Sequence, residues 1–135
     1  MRITAAPLLL CLALACDRAP KHAPANHEMI GLIDRPAAGS TVGPTFLVSG
    51  WVAGREGVER VRLYLDDEAV GNAKVDIPRP DVDREFPRYA GAGLKGFAVT
   101  IDAGTRAGFR TLRIEAIDKS GAKALVASAN VKIEP

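Results

Sequence analysis

The sequence predicts an all-β protein, an antiparallel sandwich of about seven strands. Apolar and polar residues alternate in at least four short segments, which is the pattern of half-buried strands. Glycine-rich turn signals separate these segments at intervals of roughly ten residues, as in sandwich domains. No segment of the folded region keeps a helical period. We therefore expect strands near 29–34, 45–53, 58–66, 69–76, 96–102, 109–118 and 123–133.

Each predicted strand presents one apolar face, because side chains two residues apart lie on the same side of a sheet. The inward sets on this pattern are Val61, Leu63 and Leu65; Phe97, Val99 and Ile101; Leu112, Ile114 and Ala116; and Leu125, Ala127, Ala129, Val131 and Ile133. We expect Trp51, the only tryptophan, to be a core anchor where the two sheets meet. Its alternative role is a platform on which a sugar ring stacks.

The connection between residues 76 and 95 is too long for a simple hairpin and has a pattern of its own. Pro78 and Pro80 favour an extended run. Asp81 is then suited to cap the N-terminus of a short helix. Val82 and Phe86 are four residues apart, so they share one helical face and can close the edge of the sandwich.

The polar side chains of this connection are the candidate ligand-facing residues. Long ordered loops on rigid scaffolds often bind ligands, and this loop carries several charges and an aromatic ring. The candidates are Arg79, Asp81, Arg84, Arg88 and Tyr89. The alternative is that the arginines pair with nearby carboxylates and only fix the loop.

The first 28 residues divide into two segments. Residues 1–15 have the pattern of a signal peptide, with Arg2 followed by an apolar stretch of about a dozen residues, too short to span a membrane as a helix. Residues 16–28 are rich in proline and alanine and are expected to form a flexible tether. Its histidines, His22 and His27, are expected to be solvated. Residues 29–135 then form one domain.

Ala13-Leu14-Ala15-Cys16 resembles the lipobox of bacterial lipoproteins, with Ala13 where leucine is commonest. The resemblance implies that Cys16 is the lipidation site and that lipid anchors the protein in the bacterial cell envelope, at the inner or outer membrane. Cys11 would leave with the signal peptide, so the domain folds without a disulfide. The alternative is an ordinary secretory signal with Cys16 as a bystander.

The folded region resembles a bacterial immunoglobulin-like domain of exported proteins. The matching motifs are Gly50-Trp51, Arg79-Pro80-Asp81-Val82, Phe86-Pro87 and Gly96-Phe97, with Asp118-Lys119-Ser120-Gly121 closing the pattern. The resemblance implies a seven-stranded sandwich with a binding or spacer role, and it implies neither an enzymatic activity nor a cofactor.

Several function classes are disfavoured by composition. The formal net charge is +2 with the signs interspersed and aromatics are 5%, which argues against nucleic acid as a partner. Residues 29–135 contain neither His nor Cys, and no calcium-loop or nucleophile motif is present. We expect no catalytic site, metal or cofactor, and a non-catalytic module for an envelope protein or polysaccharide. The alternatives are an accessory carbohydrate-binding module and a small carboxylate-dependent hydrolase.

Overall fold

Two β-sheets pack face to face in the computed structural model, which describes residues 28–135. The signal segment and most of the tether, with Cys16, His22 and His27, lie outside the described residues. One sheet has three strands in the order β1-β3-β6, and the other has five in the order β2-β8-β7-β4-β5. The strands are β1 (Met29–Arg35), β2 (Thr41–Val42), β3 (Thr45–Gly54), β4 (Val58–Leu65), β5 (Glu68–Lys74), β6 (Gly96–Asp102), β7 (Gly108–Asp118) and β8 (Lys123–Ile133).

The seven expected strands are all present, each within about two residues of its predicted ends. The sequence pattern missed β2, a two-residue strand that pairs in parallel with β8. Two residues are too few to show an alternation. All other strand pairs are antiparallel, and the β4–β5 hairpin turns at Asp66 and Asp67.

The alternating residues form the interior between the sheets. Leu63 and Ile114 are fully buried there, and Phe97 from the facing sheet joins them. Each such side chain contributes about 1.5–3 kcal/mol on burial, before conformational entropy offsets most of the sum. The predicted inward faces of β4, β6 and β7 are therefore confirmed.

The prediction for β8 is wrong at one position, Leu125, which is 62% exposed. Ile114 pairs with Ala127, but the next residue, Glu115, pairs with Leu125. Val126 is therefore an extra residue in β8, a β-bulge that rotates the strand by one position. Side chains of β8 that precede the bulge therefore point to the opposite face from the one that regular alternation predicts, and Leu125 faces solvent.

Trp51 is buried, as predicted, but the prediction that it lies where the two sheets meet is wrong. Val48 and Val52 of β3 face the sandwich interior, so Trp51, one residue from Val52, must face the opposite side. It is nonetheless only 8% exposed, because chain from the β5–β6 connection covers that outer face. The residue before it is a glycine for a steric reason: a Cβ on Gly50 would overlap the carbonyl oxygen of Leu32 in β1.

No helix within residues 28–135 is long and apolar enough to cross a membrane.

Candidate functional site

The outer face of the three-stranded sheet carries a short helical segment, which we call the cap. It comprises helix α1 (Pro80–Glu85) and a 3₁₀ turn (Pro87–Tyr89). A six-residue helix is not stable in isolation, so its contacts with the sheet must hold it in place. Those contacts occur at the start, the middle and the end of the cap.

Helix α1 begins differently from the prediction. The capping position is Arg79, whose side chain makes no capping hydrogen bond, and Asp81 lies inside the first turn. Pro80 explains the shift, because its fixed φ and missing N–H suit the first helical position and leave the residue before it as the boundary. Asp81 instead places a negative charge near the positive end of the helix.

Arg79 anchors the start of the cap to the sheet. Its guanidinium donates to Asp34 of β1 at 2.8 Å and to both carboxylate oxygens of Asp81 at 2.9 and 2.8 Å. The hydrogen bonds from Arg79 lower the pKa of Asp81 to about 2, and the bond to Asp81 is the main cause of a raised pKa for Arg79. Both carboxylates are therefore used to position the loop.

The middle of the cap packs its apolar face on Trp51. Val82 is buried against the indole, and the Phe86 ring lies with its centroid 5.4 Å from that of Trp51 at an interplanar angle of 41°. Tilted aromatic pairs of this kind contribute about 0.5–1.5 kcal/mol beyond the buried area. The prediction that Val82 and Phe86 share one face is confirmed.

Tyr89 anchors the end of the cap and is fully buried, so the prediction that it faces a ligand is wrong. Its hydroxyl donates to a carboxylate oxygen of Glu28, immediately before β1. Burial, assisted by that carboxylate, raises the pKa of Tyr89. The Tyr89 hydrogen bond and the Arg88 guanidinium, 3.5 Å away, hold the pKa of Glu28 below its ordinary value. Glu28, assigned to the tether from sequence, is thus bound to the cap.

A buried lysine, which no sequence pattern had predicted, lies behind the cap. Lys95 is 2% exposed; its ammonium lies 2.7 Å from Asp83 of α1 and donates to the carbonyl of Gly93 at 2.9 Å. The next residue, Gly96, passes so close to the loop that a Cβ would lie 2.8 Å from the Cβ of Ile77. The start of β6 and the cap are therefore held together.

The predicted ligand-facing residues do not act as one surface. Arg79 is occupied by two carboxylates and Tyr89 is buried, whereas Asp81, Arg84 and Arg88 are exposed. Trp51 is only 8% exposed and Tyr89 is fully buried, so little of either ring is left for a sugar to stack on. The structure supports the reading in which these charges fix the loop.

An open groove remains beside the cap, with a volume of about 380 Å³. Its floor is apolar, and Leu32, 52% exposed, forms one side. Asp81 and Glu85 place carboxylates on its rim. The lining residues are Leu32, Trp51, Asp81, Val82, Glu85 and Phe86. Within residues 28–135 no group of three or more His, Cys, Asp or Glu side chains is arranged to hold a metal.

No protein-family model matches the chain, and no curated protein matches it in sequence. Among solved structures, the fibronectin(III)-like modules of Clostridium thermocellum CbhA match with a TM-score of 0.53 and 17% identity, over 78% of this chain and 94% of that chain. A Niemann-Pick type C2 protein from the Japanese carpenter ant has a TM-score of 0.41 and 12% identity, over 82% and 96%. The first likeness shows the fold: the domain is an immunoglobulin-like sandwich, as the sequence predicted.

Proposed function

We propose that the chain is a lipid-anchored protein of the bacterial cell envelope whose immunoglobulin-like domain is a non-catalytic binding module. The anchor rests on Cys16 and the apolar segment before it. The binding role rests on one observation, the open groove beside the cap. The groove is held by a segment that is fixed at both ends, so its shape is largely formed before any partner arrives.

The proposed anchor is permanent. A single acyl chain binds a membrane only marginally, at about 0.8 kcal/mol per buried CH₂, whereas the two or three chains of a bacterial lipoprotein hold essentially irreversibly. A proline-rich tether of about a dozen residues reaches on the order of 35 Å. Because Glu28 is bound to Tyr89, this tether would leave the domain at the end of the cap.

The charges around the groove favour binding over catalysis. Arg79 is shared between Asp34 and Asp81, so these groups hold the loop in place. The groove offers an apolar floor for an inserted side chain and the Glu85 carboxylate for a cation beside it, since both oxygens of Asp81 are engaged by Arg79. A segment of an envelope protein with an apolar residue next to Lys or Arg fits this chemistry.

The anchor is tested by the variant Cys16→Ser in the native host, with metabolic labelling by a palmitate analogue. We expect unprocessed precursor without label, while the matched control Cys11→Ser stays processed, labelled and in the membrane fraction. Undiminished labelling of Cys16→Ser would refute the anchor.

The groove is tested by a photo-crosslinking amino acid placed at Glu85, with Lys74 of β5 as the exposed control position. In intact cells we expect a discrete crosslinked species from position 85 that position 74 does not give. Loss of that species in Leu32→Lys, which places a charge on the apolar side of the groove, would assign it to the groove. The same adducts from both positions, or none from position 85, would refute a binding role for this surface.

A further inference from the structure

The outer face of the five-stranded sheet carries a second groove, on the side of the sandwich away from the cap. Two adjoining hollows form it, with volumes of about 430 and 150 Å³, and both are bordered by Arg113 and Leu125. The larger hollow is lined by Arg113, Leu125, Val126, Ala127 and Ser128. The smaller is lined by Tyr64, Asp66, Asp67, Arg113, Glu115 and Leu125.

Strand register explains how these side chains come together. Tyr64, Arg113 and Ser128 are direct cross-strand partners on β4, β7 and β8 and form one row. Glu115 and Leu125 are partners in the adjacent row. Strands are about 4.8 Å apart, so the row from Tyr64 to Ser128 spans roughly 10 Å, enough for one or two sugar rings.

Two β-bulges flank the groove and shape it. The extra residue Val126 in β8 turns Leu125 outward, as described above. In β5, Leu63 faces Gly71 but Tyr64 faces Ala69, so Val70 is extra directly beside Tyr64. Bulges are found next to binding sites, where they re-aim a side chain. Here the first bulge exposes an apolar side chain of β8 that regular pairing would have buried.

Three carboxylates and one guanidinium line the groove, and its polar groups supply both donors and acceptors. The Tyr64 hydroxyl donates to Glu115 at 3.2 Å, and Arg113 pairs with Asp67 at 3.3 Å. The Asp66 carboxylate accepts from the backbone N–H of Thr111, which is the main cause of its lowered pKa. The excess of carboxylates would repel an anionic ligand. A cationic ligand also gains little, because Arg110 already pairs with Asp66 and Arg113 with Asp67. A ligand rich in hydroxyl groups fits this surface better, because each hydroxyl can both donate a hydrogen bond to a carboxylate and accept one from a guanidinium.

We propose that this groove binds a neutral polysaccharide. The Tyr64 ring and Leu125 offer apolar contacts for the C–H face of a sugar ring, while Arg113, Glu115 and Ser128 meet its hydroxyls. The proposal goes beyond the anchored module above and depends on it only for the location, since neutral polysaccharide must be within reach of the domain.

The test uses the full chain purified in detergent and titrated calorimetrically with dextran, α-mannan and laminarin, with polygalacturonate as a charged probe. We expect at least one neutral glycan to bind, and at least tenfold weaker binding in both Tyr64→Ala and Leu125→Asp. Phe109→Ser is the matched control, because Phe109 is an exposed apolar residue of β7 outside the groove, and it should bind as the wild type does. Tyr64→Phe, which keeps the ring, should lose less than Tyr64→Ala.

Four results would overturn the proposal: no neutral glycan binds, polygalacturonate binds best, the groove variants bind normally, or Leu125→Asp dissolves a dimer of the wild-type chain. The last result would assign the face to a second copy of the protein. Membrane attachment does not affect a measurement in detergent. Failure of the glycan proposal and failure of the lipid anchor are therefore distinguishable.

Discussion

The chain builds two apolar clusters on opposite sides of the same strand, β3. Val48 and Val52 face the sandwich interior, where side chains from both sheets surround them. Trp51 and Ala53 face the cap, where Val82 and Tyr89 are the other fully buried members. The interior depends on long ladders of paired strands, whereas the cap cluster depends on ten residues of irregular helix. One side of β3 therefore belongs to the cooperative core of the sandwich, and the other side belongs to the smaller cluster under the cap.

The two clusters are also held by different forces. Burial of aliphatic and aromatic side chains dominates in the interior. The cap adds charged contacts at its edges, from Arg79 to Asp34 and from Lys95 to Asp83. We expect damage to the interior to lower global stability and damage to the cap to cause local opening. Substitutions on the two sides of the sheet can separate these responses.

Phe97→Ala is expected to have the largest effect, because Phe97 lies in the sandwich interior and is almost completely buried. Truncation of such a ring costs about 3–5 kcal/mol of unfolding free energy. Denaturant unfolding should show this loss by a lower midpoint at an unchanged slope. A melting curve like that of the wild type would show that β6 does not present this face to the core.

Trp51→Ala is expected to cost less, about 2–3 kcal/mol, although the side chain removed is larger. The usual cost for a buried aromatic is about 3–5 kcal/mol, but the cap can open locally and so limit the loss. Hydrogen exchange should speed up in residues 80–95 while the amides of β4 and β7 stay protected. Uniformly faster exchange would mean that the cap and the sandwich unfold together.

The difference between the clusters also explains what could be predicted from sequence. Period-two alternation identifies the interior faces of β4, β6 and β7, because those strands have one buried and one open side. Near Trp51 the alternation stops: Trp51, Val52 and Ala53 are consecutive and all buried. Such a run indicates burial on both faces, but it cannot show which distant segment supplies the second cover. For this reason the sequence pattern predicted the wrong face of β3 for Trp51.

The remaining errors have a similar physical origin. A bulge adds one residue to one strand, and the sequence around Leu125 looks like regular alternation until the partner strand is known. The contact between Tyr89 and Glu28 joins residues 61 positions apart, and no local sequence pattern around either residue predicts it. The cap helix was predictable because Pro80, Val82 and Phe86 act through local geometry. The surface groove at Tyr64 was not, because it depends on register.

Asp83→Ala tests the charged contact that holds the cap to the start of β6. It leaves the buried ammonium of Lys95 without its carboxylate, and removal of one partner of a buried pair costs about 3–5 kcal/mol. We expect about 2 kcal/mol, because the Asp83 side chain is 39% exposed and water can reach the pair. The double variant Asp83→Ala with Lys95→Met should recover most of the loss. If the double variant is no more stable than Asp83→Ala, the pair does not act through charge.

Asp81→Asn should have the smallest effect, and its effect should depend on pH. Arg79 lowers the pKa of Asp81 in the folded protein from 3.8 to about 2, so the contact stabilises the fold above pH 4 and is lost as the pH falls towards 2. The variant should therefore melt at a lower temperature than the wild type at pH 5, and the difference should shrink towards pH 2. Glu85→Gln, an exposed carboxylate change on the same helix, controls for net charge. A difference that is the same at both pH values would show that Arg79 holds residue 81 by neutral hydrogen bonds, and the cap would then share the pH-insensitive character of the sandwich interior.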